Sequence, residues 1–220
     1  MHILVVDLEA TCWQGHLPGT VRRQTVNDME VLEIGCALAT ADGNVLDSAS
    51  FLARPVLRPR LSEFCRELTG IRQQDADRAP HYGEAVAQLN AWLADKPAID
   101  LWVSWGDYDF YQLEAEFYRN HCAPAFMARP HLNLKLAWRK TTGLKGRMDF
   151  ADVLAHHRLD FEGRPHRGVD DARNAARLLR HIDSRYLRLH LQWHSRQVLR
   201  HLGLKPGLLR YLLPGMSARW

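Results

Sequence analysis

A chain of 220 residues with 46% hydrophobic and 25% charged residues carries enough apolar material for one well-packed domain plus an appendage, and this balance excludes a disordered chain. The net charge of +4 is a mild positive excess, compatible with a nucleic-acid partner. No apolar run is long enough to span a membrane and the N-terminus shows no leader pattern, so no membrane partner and a cytoplasmic location are expected.

The first element is the continuous apolar run Ile3-Leu4-Val5-Val6, the pattern of a buried central strand, and it runs straight into Asp7-Leu8-Glu9. Residues 14–29 are polar with Gly and Pro and read as a loop. Val31–Ala39 and Val45–Leu52 follow as strands, with Asp42-Gly43 as the hairpin signal between them. The period then changes. Ser62 is placed to cap a helix through Phe64, Cys65 and Leu68, and Gly70 to stop it. Val86, Leu89, Trp92 and Leu93 give a helix over 82–94. Leu101–Trp105 reads as a short strand and Phe110–Tyr118 as a helix. Leu134–Thr141 and Phe150–His157 read as helices separated by Gly143 and Gly146, and Asp171–Ile182 as the last helix of the domain. This order predicts an α/β domain with a mixed sheet over residues 1–183.

Residues 184–220 differ: they hold Arg185, Arg188, Arg196, Arg200, Lys205, Arg210 and Arg219 and no acidic residue. They read as a basic helical C-terminal extension, either packed on the domain or acting as a flap over nucleic acid. The cysteines Cys12, Cys36, Cys65 and Cys122 form no Cys-x-x-Cys pair, which argues against a zinc knuckle.

Carboxylates beside a core strand are costly unless a cation compensates them. Asp7 and Glu9 lie two apart on an extended segment and so share a face. Asp109 follows the Leu101–Trp105 strand, Asp171 begins a helix, and His166 lies in Gly163-Arg164-Pro165-His166-Arg167-Gly168, which reads as a mobile loop. Four acids and one histidine spread in this way point to a two-metal phosphodiester-cleaving site, because hard divalent cations want oxygen ligands and histidine titrates near neutrality. Asp107 beside Asp109, and Asp170 beside Asp171, are the competing acids, and Asp170 is also suited to capping the last helix.

Asp7-Leu8-Glu9-Ala10-Thr11-Cys12-Trp13 resembles the first motif of the DEDDh 3′–5′ exonucleases. Ser104-Trp105-Gly106-Asp107-Tyr108-Asp109 resembles the second, and His166-Arg167-Gly168-Val169-Asp170-Asp171-Ala172 the third. Glu33-Ile34-Gly35, residues 64–71 and Asn133-Leu134-Lys135 extend the likeness over roughly residues 2–182, most nearly to the ERI-like branch acting on RNA 3′ ends. The resemblance implies an RNase H-like mixed five-stranded sheet flanked by helices. It implies that Asp7, Glu9, Asp109 and Asp171 bind two Mg²⁺ or Mn²⁺ ions and that His166 serves as general base, with 5′-mononucleotides released from single-stranded 3′ ends, RNA before DNA. It further implies contacts to the terminal nucleotide from Leu8, Ala10, Thr11, Trp13, Phe64, Leu68, Tyr108 and His166. A catalytically silent nucleic-acid-binding module and a DNA-directed exonuclease remain the alternatives. The oligomeric state is not legible in the sequence.

Overall fold

The computed structural model describes residues 1–187, so Arg188 and the rest of the expected basic extension lie outside the described residues. Five strands form one sheet: β1 (His2–Ala10), β2 (Val31–Thr40), β3 (Val45–Leu52), β4 (Leu101–Ser104) and β5 (His131–Asn133), in the order β3-β2-β1-β4-β5. β1 pairs antiparallel with β2 and parallel with β4, which makes it central and the sheet mixed. The α-helices around it include α1 (Glu63–Thr69), α2 (Gln73–Arg78), α3 (Tyr82–Ala94), α4 (Tyr108–Asn120), α5 (Leu134–Thr142), α6 (Phe150–His156) and α7 (Gly168–Arg177). None is long and apolar enough to cross a membrane.

β1 shows how a strand buried on both faces distributes its side chains. Ile3 and Val5 enter a core with Leu134 and Trp138 of α5, Val153 of α6 and Ala172, Ala175 and Ala176 of α7. Leu4, Val6 and Leu8 enter the opposite core with Val86 and Leu89 of α3, Trp102 of β4 and Leu113 of α4. Two layers of helix therefore sandwich the sheet.

Several boundaries differ from the sequence expectation. β5 and α2 are absent from that reading, since three and six residues are too short to show a period. α4 starts at Tyr108, two residues early, which puts Asp109 in its first turn rather than at a strand's end. α7 starts at Gly168, three residues before Asp171, and gives way to a 3₁₀ turn over Leu178–His181. The capping signals hold: the Ser62 side chain accepts from the Cys65 N–H, and Gly70 ends α1 at φ +72°.

Under α5 and α6, Trp138 Nε1 donates to His157 Nε2 at 2.8 Å, and the His157 ring stacks on His181 at 3.8 Å. Burial, with His181 and His156 alongside, lowers the His157 pKa from 6.5 to about 4. An unfolded chain takes up this proton below pH 6.5, whereas the folded one resists until about pH 4. Stability is therefore lost as pH falls through this window, and the lowered pKa of His181 acts in the same sense. Between pH 6.5 and 4 the thermal midpoint of His157→Gln, which retains an acceptor for Trp138, is expected to gain on that of wild type, because the variant lacks this contribution. An identical slope in both proteins would exclude His157 as the source.

Candidate active site

The two-residue period that sends Ile3 and Val5 to the α7 side sends Asp7 and Glu9 there as well, past the end of the apolar packing. Opposite them on β2 stand Gly35 and Glu33. A Cβ at Gly35 would fall 1.9 Å from the Gly168 carbonyl carbon, so two glycines are what allow the start of α7 to lie directly on the sheet. The buried Glu33 carboxylate receives that helix end: it accepts the Gly168 N–H at 3.3 Å, the Val169 N–H at 3.4 Å and the Ser50 hydroxyl at 2.7 Å. One turn into α7, Asp171 meets Asp7 and Glu9, and one carboxylate oxygen from each of the three lies within 4.8 Å of the others.

Asp109 is buried, and its Oδ1 accepts the Leu8 N–H at 2.9 Å, which ties the first turn of α4 to β1 midway between Asp7 and Glu9. It lines the same cavity of about 370 Å³ but is not one of the three converging ligands. Asp107 and Asp170 lie outside that lining. Rather than capping α7, Asp170 accepts the Arg164 N–H at 3.0 Å and the Arg173 guanidinium at 3.3 Å.

His166 lines the cavity with an exposed side chain and a left-handed backbone at φ +59°. Its segment, expected to be mobile, is tied down. The Arg164 guanidinium donates to the Thr69 carbonyl at 3.2 Å and to the Glu67 carbonyl at 3.0 Å, on either side of Leu68. The histidine loop and the helix presenting Leu68 are thereby held as one wall.

Burial raises the Asp7 pKa well above its usual value, and the neighbouring charges of Asp109, Asp171, Glu9 and Glu33 raise it further. Burial, then the charge of Glu33, lifts Glu9 to about 9. Burial lifts Asp109 to about 7 against the opposing bonds from the Leu8 N–H and Ser104, and it lifts Asp171 to about 6 against the His166 N–H and charge. Among the described residues, no lysine or arginine lines the cavity to offset these acids. Asp171 Oδ2 is buried without any hydrogen-bond partner. An all-carboxylate donor set with an orphaned oxygen fits a hard divalent cation.

Of the other expected contacts, Leu8, Ala10, Leu68 and Tyr108 line the cavity. Thr11, Trp13 and Phe64 do not. Thr11 is buried, and its hydroxyl accepts the Glu30 N–H at 2.9 Å. Trp13 lies under the Arg58 guanidinium, 5.2 Å from the ring centroid. Phe64 packs against the small core built on Cys12, Leu32 and Cys65. Trp105, Phe150, Met29 and Cys12 line the cavity without having been expected to. Trp105 stands inside the second motif and carried a signal; Phe150, placed by the Asp149 cap of α6, carried none.

The RNase_T family model, described as Exonuclease, matches residues 4–179. The chain is 28% identical over 196 residues to the 3′–5′ exonuclease Snipper of Drosophila melanogaster, covering 81% of this chain and 68% of that protein. It is 27% identical over 209 residues to 3′–5′ exoribonuclease 1 of Homo sapiens, covering 90% and 57%. The fold superposes on the nuclease domain of 3′hExo, a DEDDh family member bound to rAMP, with a TM-score of 0.71 at 25% identity, over 85% of this chain and 92% of that one. Cell-death related nuclease 4 shares the fold at a TM-score of 0.68 and 20% identity, over 86% and 64%. The chain spans 68% and 57% of the length of these two curated relatives.

Proposed function

This chain belongs to the RNase_T exonuclease family, and on that basis we propose that it shortens single-stranded RNA from the 3′ end, releasing 5′-mononucleotides. The observation that carries this reading is the convergence of Asp7, Glu9 and Asp171 within 4.8 Å, with one Asp171 oxygen buried and unpartnered. These three, with Asp109, would hold two Mg²⁺ or Mn²⁺ ions. Bound there, divalent ions activate water and neutralise charge developing on the phosphate.

The remaining steps fall to the protein. His166, exposed at the cavity edge, takes the proton from the attacking water. Leu8, Ala10, Leu68 and Tyr108 hold the terminal nucleotide, and the aromatic ring supplies a stacking surface indifferent to base identity. A cytoplasmic location goes with this reading, and the four unpaired cysteines suit a reducing compartment.

The test is degradation of matched 5′-labelled single-stranded RNA and DNA with Mg²⁺, with Mn²⁺ and with EDTA. A metal-dependent ladder shortening from the 3′ end, faster on RNA, is expected. No cleavage by folded protein with either metal would overturn the reading. His166→Asn is expected to lower the rate by about 10²–10⁴-fold at neutral pH with metal binding retained. Asparagine tolerates the left-handed backbone at this position, so the loss reports the imidazole and not strain. An unchanged rate would remove His166 from the proton transfer.

A further inference from the structure

Divalent ions in the acidic cavity would answer the scissile phosphate, but among the described residues that cavity holds no lysine or arginine, so cations for the phosphates further along the strand lie elsewhere. A second cavity, of about 330 Å³, provides them. Its walls are Lys135 and Arg139, one turn apart on α5, and Arg147 in the turn that leads to α6. Trp138, Leu144 and Met148 contribute its apolar surface, and no acidic residue lines it.

Three observations separate this pocket from an ordinary solvated helix face. First, Lys135, Arg139 and Arg147 make no ion pair among the described residues, so all three charges around this one concavity are unmatched by a protein carboxylate. Second, the cations surround a concavity. The turn that brings Arg147 opposite α5 depends on Gly143 at φ +70° and Gly146 at φ +102°, both in the region that favours glycine. Third, the pocket adjoins the acidic cavity through shared aromatic packing. Trp138 lies on the basic side; Trp105, 6.4 Å from it, and Phe150, 5.0 Å from Trp105, line the acidic side. A strand leaving the acidic cavity past Phe150 meets the three cations next.

We propose that the pocket formed by Lys135, Arg139 and Arg147 binds a backbone phosphate of the substrate strand, on the 5′ side of the nucleotide being removed. The subsite rests on the exonuclease reading above. It adds that grip on the strand and cleavage are carried by separate, adjoining cavities. Strands long enough to reach the pocket gain affinity from it, and a dinucleotide does not.

The experiment compares wild type with the triple variant Lys135→Gln, Arg139→Gln, Arg147→Gln in the full chain. The substrates are a single-stranded 12-nucleotide RNA and a dinucleotide. For the longer RNA, KM is expected to rise about tenfold or more at low salt with kcat unchanged, and the log–log salt slope to flatten by about 0.7, the contribution of one phosphate contact on a single strand. Turnover of the dinucleotide is expected to be unchanged. Equal KM and salt slope in both proteins would overturn the subsite, as would an equal loss on both substrates. Arg147→Gln alone, in a surface turn, is expected to show a smaller shift of the same sign; no shift in that variant would also count against the pocket. Wild-type cleavage of the dinucleotide reports the exonuclease activity separately, so failure of the subsite and failure of the activity give different results.

Discussion

Asp7→Asn is expected to reduce RNA cleavage by about 10³-fold or more and, in the same variant, to raise the thermal midpoint of the metal-free protein. The first effect follows from the loss of a carboxylate at the centre of the cluster, since metal assistance contributes several kcal/mol to such reactions. The second follows from electrostatics. Asp7 is pushed well above its ordinary pKa by burial and then by Asp109, Asp171, Glu9 and Glu33, so ionising it costs folding free energy when no cation is bound. An amide of the same shape removes that cost. For a domain of this size each kcal/mol relieved raises the midpoint by about 2–4 °C.

The pH dependence carries the same sign. A carboxyl whose folded pKa lies above its unfolded value holds its proton more tightly in the native state, so stability falls as pH rises between the two values. Glu9, raised from 4.5 to about 9, sets a wide window. Metal-free wild type should lose stability from about pH 4.5 towards 9, and Mg²⁺ should restore it. Asp7→Asn should show a shallower loss and a smaller response to Mg²⁺. Wild-type turnover in the variant, or a lowered metal-free midpoint, would mean that Asp7 is not the desolvated ligand described.

Gly35→Ala is expected to cost about 4 kcal/mol or more, a large part of the stability of an ordinary domain. The new methyl carbon would lie 1.9 Å from the Gly168 carbonyl carbon and 2.2 Å from the Val169 nitrogen. These are backbone atoms, so no side-chain rotation relieves the overlap and α7 has to lift from the sheet. Asp171 and the His166 loop would move with it. Gly168→Ala, whose methyl carbon would meet the Asp7 carbonyl oxygen at 2.9 Å, should cost less. Gly83→Ala on α3 meets nothing within 4 Å and should be neutral or stabilising by up to about 1 kcal/mol. Urea unfolding of the three variants checks the order. A Gly35→Ala protein as stable as Gly83→Ala would refute the close contact.

Much of the molecule is legible from local patterns. The apolar run at Ile3 to Val6 is the central strand, Asp42-Gly43 turns the hairpin, and Ser62 and Gly70 bound α1. Tyr82–Ala94 forms its helix within the limits its apolar spacing predicts. The spacing of Asp7 and Glu9 places both on one face, and the five-residue step from His166 to Asp171 brings both to one cavity. These features depend on hydrogen bonds and side-chain directions set within a few residues, which is why one chain read alone reveals them.

What depended on distant partners could not be read in this way. β5 is a three-residue strand that exists because β4 offers it an edge. The early starts of α4 and α7 reflect the bond from Leu8 to Asp109 and the bonds from Glu33 to the Gly168 and Val169 N–H groups, made across 101, 135 and 136 residues of chain. Thr11 and Phe64, expected beside the substrate, are claimed by Glu30 and by the core under α1, while Phe150 reaches the cavity from a helix with no motif. The sequence by itself determined the residue types, their periods and the turns between them. Only the tertiary structure decided which buried side chains face a cavity and which face a neighbour, because that choice is made by packing against residues far away in the chain.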